Sequence, residues 1–135
     1  MRSRSIGLNW LRHFDKSVVV PEVVFTSLND ASGYYYQPGD YELCIDGRFY
    51  DGIFGIMVIS DGDLIASTIA HEWRHHWQRH NDFEFDHVPL RPDLPYEENI
   101  AHYFSSSKSE MDALLFERRN APNYLNDYWL SLATK

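Results

Sequence analysis

Between Asp63 and His80 the apolar residues fall at Ile65, Ala66, Ile69, Ala70, Trp73 and Trp77. Spacings of three and four are the period of a helix with one buried face, so the whole stretch is predicted to be helical. Leu64, Thr68, His71, His75 and Arg79 take the opposite arc, which would turn towards a cleft. Ser60-Asp61-Gly62 breaks the chain beforehand, and Asp63 stands where a helix cap belongs. The same period recurs near the start, where Ile6, Trp10 and Phe14, with Leu11 beside them, predict a helix over Ser5–Lys16. It returns over Tyr96–Arg119, where Ile100, Phe104, Met111, Leu114 and Leu115 share a face and Ser105-Ser106-Ser107 can split the stretch in two. Pro122 suits the start of a last short helix through Leu132, anchored by Tyr128 and Trp129.

Strand patterns lie between the first two helices. Val18–Leu28 is rich in Val and Phe, with Pro21 marking an edge or a bend. Asn29–Asp40 reads as a loop carrying Tyr34, Tyr35 and Tyr36, either as partly packed surface aromatics or as a substrate-facing segment. Asp46-Gly47 and Asp51-Gly52 are turn signals, and the residues before Asp51 mix polar with apolar as a half-exposed strand does. Ile53–Ile59 is almost wholly apolar and predicts a buried central strand, with Gly55 as a bulge. Asn81–Pro95 is a proline-rich loop that Phe83 and Phe85 would plug against the core. The expected architecture is α+β: an N-terminal helix, a mostly antiparallel sheet of about three strands, two long helices and a short C-terminal one.

Length and composition narrow the classes. A chain of 135 residues is expected to be a single domain spanning residues 1–135. A net charge of −8 argues against a nucleic-acid partner, which wants a basic patch. No apolar run approaches the roughly 18 residues of a membrane span. Met1-Arg2-Ser3-Arg4-Ser5 is basic but leads into no apolar segment, and Cys44 is the one cysteine, so a reducing, cytoplasmic setting is expected. Nothing in the pattern sets the oligomeric state.

The chemistry concentrates at His71-Glu72-Trp73-Arg74-His75. On a helix, residues i and i+4 stand one above the other, so His71 and His75 can grip one ion while Glu72 lies on the rim of the same face. A zinc ion with three protein ligands and one water lowers that water's pKa to about 7, and a neighbouring carboxylate can take its proton. A third ligand is therefore wanted, and Glu110, at the border of the second long helix's apolar face, is the chosen one. Ser107-Lys108-Ser109-Glu110 fits a capping box equally well, which would turn Glu110 back to its own helix. Asp112 should point away from that face, and Glu97, Glu98 and Glu117 read as solvated charges. His76 and His80 form a second i, i+4 pair on the apolar arc and read as core or rim histidines. His87, His102 and Tyr103 are alternatives for stabilising an oxyanion, each with a structural role as the plainer reading.

On His71, Glu72, His75 and Glu110 the chain resembles the zincin metallopeptidases, and among them the gluzincins, including the small minigluzincins. The order of helix, short strands, motif helix and glutamate helix is similar, over roughly residues 53–117. Glu110-Met111-Asp112-Ala113 fits the Glu-x-x-Ala start of a glutamate helix, while Leu114 stands where such families often place an Asp or Asn that orients a zinc histidine. The metzincin pattern is not matched, since Gln78 replaces its glycine and His80 is one residue short. Nor is the Glu-Gly-Cys signature of peptide deformylases present around Cys44. The resemblance implies a Zn²⁺ peptidase acting on a peptide or protein, with Glu72 as base and then acid, and an edge strand around Tyr41–Tyr50 that binds an extended peptide. The alternatives are a zinc protein without turnover and a metal-free interaction domain using Tyr34–Tyr36.

Overall fold

The computed structural model describes residues 2–29, 31–37, 42–86 and 88–135. Along the chain run α1 (Arg2–Leu11), β1 (Glu22–Thr26), β2 (Gly33–Tyr36), β3 (Glu42–Ile45), β4 (Arg48–Asp51), β5 (Ile56–Ser60), α2 (Ile65–His80), α3 (Tyr96–Ser106), α4 (Lys108–Asn120) and α5 (Tyr124–Ala133). This is a small α+β architecture with its strands in two sheets. One sheet has the order β1-β5-β2, and the other is the β3-β4 hairpin. β1 runs parallel to β5, whereas the β2-β5 and β3-β4 pairs are antiparallel.

β5 is apolar on both faces because both are covered. Met57 and Ile59 join Ile65, Ile69 and Trp73 of α2, Leu11 of α1 and Phe116 of α4 in one core. Ile56 and Val58 face the other way, with Val24, Tyr34, Tyr36, and Leu43, Ile45 and Tyr50 of the hairpin. α2 is thus wedged between the sheet and α4 with its apolar arc buried, as the periodicity predicts.

Several boundaries differ from expectation, each for a local reason. α1 ends at Leu11, and it meets α2 through Gly7, where an added Cβ would lie 2.4 Å from Ile69 Cδ1. Ile6, expected on the inner face, is exposed, while Phe14 beyond the helix packs on Trp73 with ring centroids 4.9 Å apart. β1 begins only after Pro21, and Val18 to Val20 lie outside it. The tyrosines expected in a loop form β2, because pairing with β5 rewards their β-propensity. All three are half-buried, and Tyr34 and Tyr35 also line a cavity beside α2.

Asp46-Gly47 makes the expected hairpin turn, with φ of 52° and 79°. Asp51-Gly52 does not close a second hairpin; it opens a turn that leaves Ile53 and Phe54 exposed, and β5 starts at Ile56. Gly55 is no bulge. It has φ of 97°, and a Cβ built there would lie 3.0 Å from both His76 Nδ1 and Tyr35 OH. Asp63 does not cap α2. Ser67 and Thr68 turn their hydroxyls back onto Leu64 O, at 3.0 and 2.9 Å. The split at Ser107 and the last helix form as predicted, although Leu115 is exposed and α5 starts at Tyr124 behind an Asn123–Asn126 capping box. The hairpin over residues 42–51 is not a strand of the sheet beside α2; β2 takes that place. Asp40, Tyr41 and His87 lie outside the described residues. Among those described, no helix is long and apolar enough to cross a membrane.

Candidate metal centre

α2 and α4 lie side by side, and their facing sides carry the site. His71 Nε2 lies 2.9 Å from Glu110 Oε1, and His75 Nε2 lies 3.1 Å from Glu110 Oε2. One ligand atom from each of these three residues falls within 4.8 Å of the other two. His71, His75 and Glu110 therefore form a group that could hold a metal ion. The two readings of Ser107–Glu110 both have substance: Ser107 Oγ accepts from Glu110 N at 3.1 Å, but the Glu110 carboxylate goes to the histidines. Asp86 fastens the same turn, accepting from Lys108 N at 2.9 Å and Ser109 N at 3.0 Å. Three of the N–H groups that a helix start leaves orphaned are thus satisfied, which fixes the turn that presents Glu110.

The far side of each imidazole is also held. His71 Nδ1 is 2.9 Å from Glu117 Oε1, and His75 Nδ1 is 2.9 Å from Gln78 Oε1. The Gln78 amide can be oriented from its neighbours, since its nitrogen donates to Ser109 O at 2.8 Å and Asp112 Oδ2 at 2.9 Å. Arg74 Nε donates to Asp112 Oδ2 at 2.7 Å. Glu117 is not the solvated charge expected of it; it is 5% exposed. Asp112 stays away from the ion group, as expected, yet it steadies the amide that steadies His75.

This arrangement calls for positive charge. Both Nδ1 atoms face oxygens and so carry protons. A neutral ring protonated there has a lone pair at Nε2, and both lone pairs would then face the Glu110 carboxylate. Either each ring takes a second proton, or one divalent cation accepts both lone pairs and the carboxylate together. Burial opposes charge on His71, but Glu110 and Glu117 outweigh it and hold its pKa well above the ordinary histidine value. Burial likewise opposes charge on His75, and Glu110 again wins, raising its pKa. Burial alone would raise Glu110, yet hydrogen bonds from the two histidines hold it far below the usual carboxylate range. The donor set of two imidazoles and a carboxylate fits a borderline divalent ion.

No protein-family model, curated protein or solved structure matches the chain.

The site opens on a cavity of about 950 Å³ whose wall includes Glu72, Tyr103, Phe85, Ile100 and Trp129. Glu72 is 8% exposed, and burial raises its pKa against the pull of His71 and His75. Tyr103 is hydrogen-bonded to Glu110, and burial first and that carboxylate second push its pKa up. Phe85, which was expected to plug the loop, packs edge-on against His75 with centroids 5.2 Å apart. His102 is not part of the cavity wall; its Nδ1 faces Ser106 Oγ at 3.3 Å. His76 is a satisfied core histidine, facing Val19 O through Nε2 and Tyr35 OH through Nδ1. His80 is exposed at the end of α2, and Cys44 is exposed on β3.

Sequence reasoning missed Glu117 and Gln78. Each stands seven residues after a ligand, Glu117 after Glu110 and Gln78 after His71. Seven residues are within about 20° of two full turns, so the shared face was readable in the spacing.

Proposed function

We propose that the protein is a zinc-dependent metallopeptidase of zincin type, with Zn²⁺ held by His71, His75 and Glu110. The observation that carries this reading is the convergence of those three donors on one cavity wall, beside the buried carboxylate of Glu72. Zn²⁺ bound there would supply Lewis acidity, polarising a carbonyl and easing the ionisation of water.

The rest falls to the chain's own groups. Glu72 sits next to the donors without joining them, so its carboxylate is left to take a proton from the attacking water and pass it to the leaving amine. Tyr103 keeps its proton, because burial disfavours the phenolate, and its single O–H would have to turn from Glu110 to donate to an oxyanion forming over the cavity. His102 faces away and has no part in this. Phe85, Ile100 and Trp129 give the cavity an apolar wall. The substrate is a peptide or protein segment that enters the cavity.

Two measurements test the reading. Protein never exposed to chelator should carry about one equivalent of zinc, and a content below about half an equivalent counts against every metal reading. Glu72→Gln should keep the zinc and lose cleavage of a peptide library. Unchanged cleavage would remove Glu72 from its role, and no cleavage by the wild type would leave a zinc protein without turnover.

A further inference from the structure

Glu117 is a buried carboxylate with no part in binding the ion or in the proton transfers. Its two oxygens are both committed. Oε1 accepts from His71 Nδ1 at 2.9 Å, and Oε2 accepts from Asn126 Nδ2 at 3.2 Å. Asn126 is 1% exposed and is itself fixed from several sides. Its Nδ2 also donates to Ala121 O at 3.0 Å, its Oδ1 accepts from Asn123 N at 3.0 Å, and its N–H donates to Asn123 Oδ1 at 2.9 Å. A rigid cap at the start of α5 therefore holds one end of a chain of hydrogen bonds that finishes on a ligand of the candidate metal.

We infer that Glu117, held by Asn126, is the positioning residue for His71, so that the start of the C-terminal helix sets how tightly the centre binds its ion. An imidazole presents Nε2 to a metal only as the Nδ1–H tautomer, and the tautomer is decided by what the other nitrogen meets. A carboxylate at Nδ1 holds the proton there, aims the ring and makes Nε2 more basic. The residue four after Glu110, Leu114, is wholly buried and apolar and can do none of this. Glu117, seven after Glu110, stands on the same face one turn further on and reaches the ring instead.

The inference rests on the metal reading proposed above, and the test separates the two. Zn²⁺ affinity would be measured by competition with a chromophoric chelator for the wild type, Glu117→Ala, Glu117→Gln and Asn126→Ala, with folding checked by circular dichroism. The His71 tautomer would be read in the zinc-loaded proteins from long-range ¹H–¹⁵N correlation spectra. Glu117→Ala should weaken Zn²⁺ binding by about 10- to 100-fold. Glu117→Gln, which keeps an oxygen but loses the charge, should fall between it and the wild type, and Asn126→Ala should weaken binding in the same direction. Should Glu117→Ala fail to fold, the isosteric Glu117→Gln decides. Folded variants that bind Zn²⁺ within twofold of the wild type, with the His71 tautomer equally well defined, would overturn the inference and leave the metal reading standing. A wild type that takes up no Zn²⁺ would overturn both.

Discussion

Gly33→Ala is a perturbation that touches no proposed metal ligand and yet should impair the site. Gly33 begins β2, where the strand passes over α2. A Cβ built there would lie 2.7 Å from Thr68 Cγ2, 3.1 Å from Glu72 Cγ and 3.1 Å from the Val58 carbonyl oxygen. Carbon atoms in contact sit at about 3.5–4.0 Å, so the shortest approach is deficient by about 1 Å. Thr68 cannot simply rotate away, because its Oγ1 donates to Leu64 O at 2.9 Å. The Val58 oxygen is backbone of the central strand and cannot yield either. The strain must move β2 or push the Glu72 side chain aside. Overpacking of this kind costs about 1–3 kcal/mol. The reduced freedom of the unfolded chain returns about 0.4–1 kcal/mol of that. The net loss of stability should thus be modest, visible in urea unfolding as an earlier midpoint with an unchanged slope. Displacing a catalytic group by about 1 Å costs on the order of 10²-fold in rate. The overlap at Glu72 Cγ is only a few tenths of an ångström. On a peptide that the wild type cleaves, Gly33→Ala should therefore lose kcat by less than that factor while Zn²⁺ affinity holds, since Glu72 is not a proposed ligand. Gly62→Ala is the control, as its methyl would meet nothing within 4 Å. If Gly33→Ala matches Gly62→Ala in both stability and kcat, the close passage of β2 over Glu72 does not constrain the proposed base.

Other perturbations address the remaining parts of the centre. Glu110→Ala removes the carboxylate shared by the two histidines, and zinc content should drop far below one equivalent; retention would place the third donor elsewhere. Asp86→Ala strips the acceptors from Lys108 N and Ser109 N and should cost about 1–2 kcal/mol in thermal or urea unfolding. Burial pushes Asp86 up, but those amides and the hydroxyls of Ser107 and Ser109 hold it down at about 2. Its contribution is therefore complete above an ordinary aspartate pKa of about 3.9 and is lost as pH falls through the folded value. The gap in Tm between wild type and Asp86→Ala should narrow from pH 5 towards pH 2, and a constant gap would refute the assignment. Tyr35→Phe leaves His76 Nδ1 without the hydroxyl that lies 2.8 Å away, and should cost about 1–3 kcal/mol; a loss below about 0.5 kcal/mol in urea unfolding would mean that another group satisfies the ring.

The parts of the fold legible in the sequence were those decided by a single helix face. Ile65, Ile69 and Trp73 announce α2 because a helix buries the residues that recur along it, whatever it packs against. Strands depend on distant partners, and there the reading slipped. Gly33-Tyr34-Tyr35-Tyr36 follows Ser32 and looks like a turn until β5 is laid beside it, when the pairing Tyr35↔Met57 puts one tyrosine over α2 and its neighbours on the other face. The inner face of α1 escapes the pattern for a related reason. Ile6 has the right period, but it is Gly7 that lies against the Ile69 side chain of α2, where an added Cβ would clash. A hydrophobic pattern cannot register a contact made by a missing group.

The site divides along the same line. His71, Glu72 and His75 are fixed relative to one another by one helix, so their spacing alone places them. Glu110 needs a second helix, and the sequence left it between a ligand and a cap. The structure lets the backbone take the cap and the carboxylate take the histidines, so the alternatives were never exclusive. Glu117 reads as a surface charge because an isolated glutamate on a helix usually is one. What reverses this is a count of partners, since a carboxylate can be buried only if its oxygens are satisfied. Glu117 has His71 on one oxygen and Asn126 on the other, and the second of these comes from α5, past the end of the helix that carries it. No pattern local to α4 contains that information. The general consequence is that groups which bind an ion can be found from spacing within one element, whereas the groups that aim them are found by asking which buried polar atoms would otherwise be unpaired.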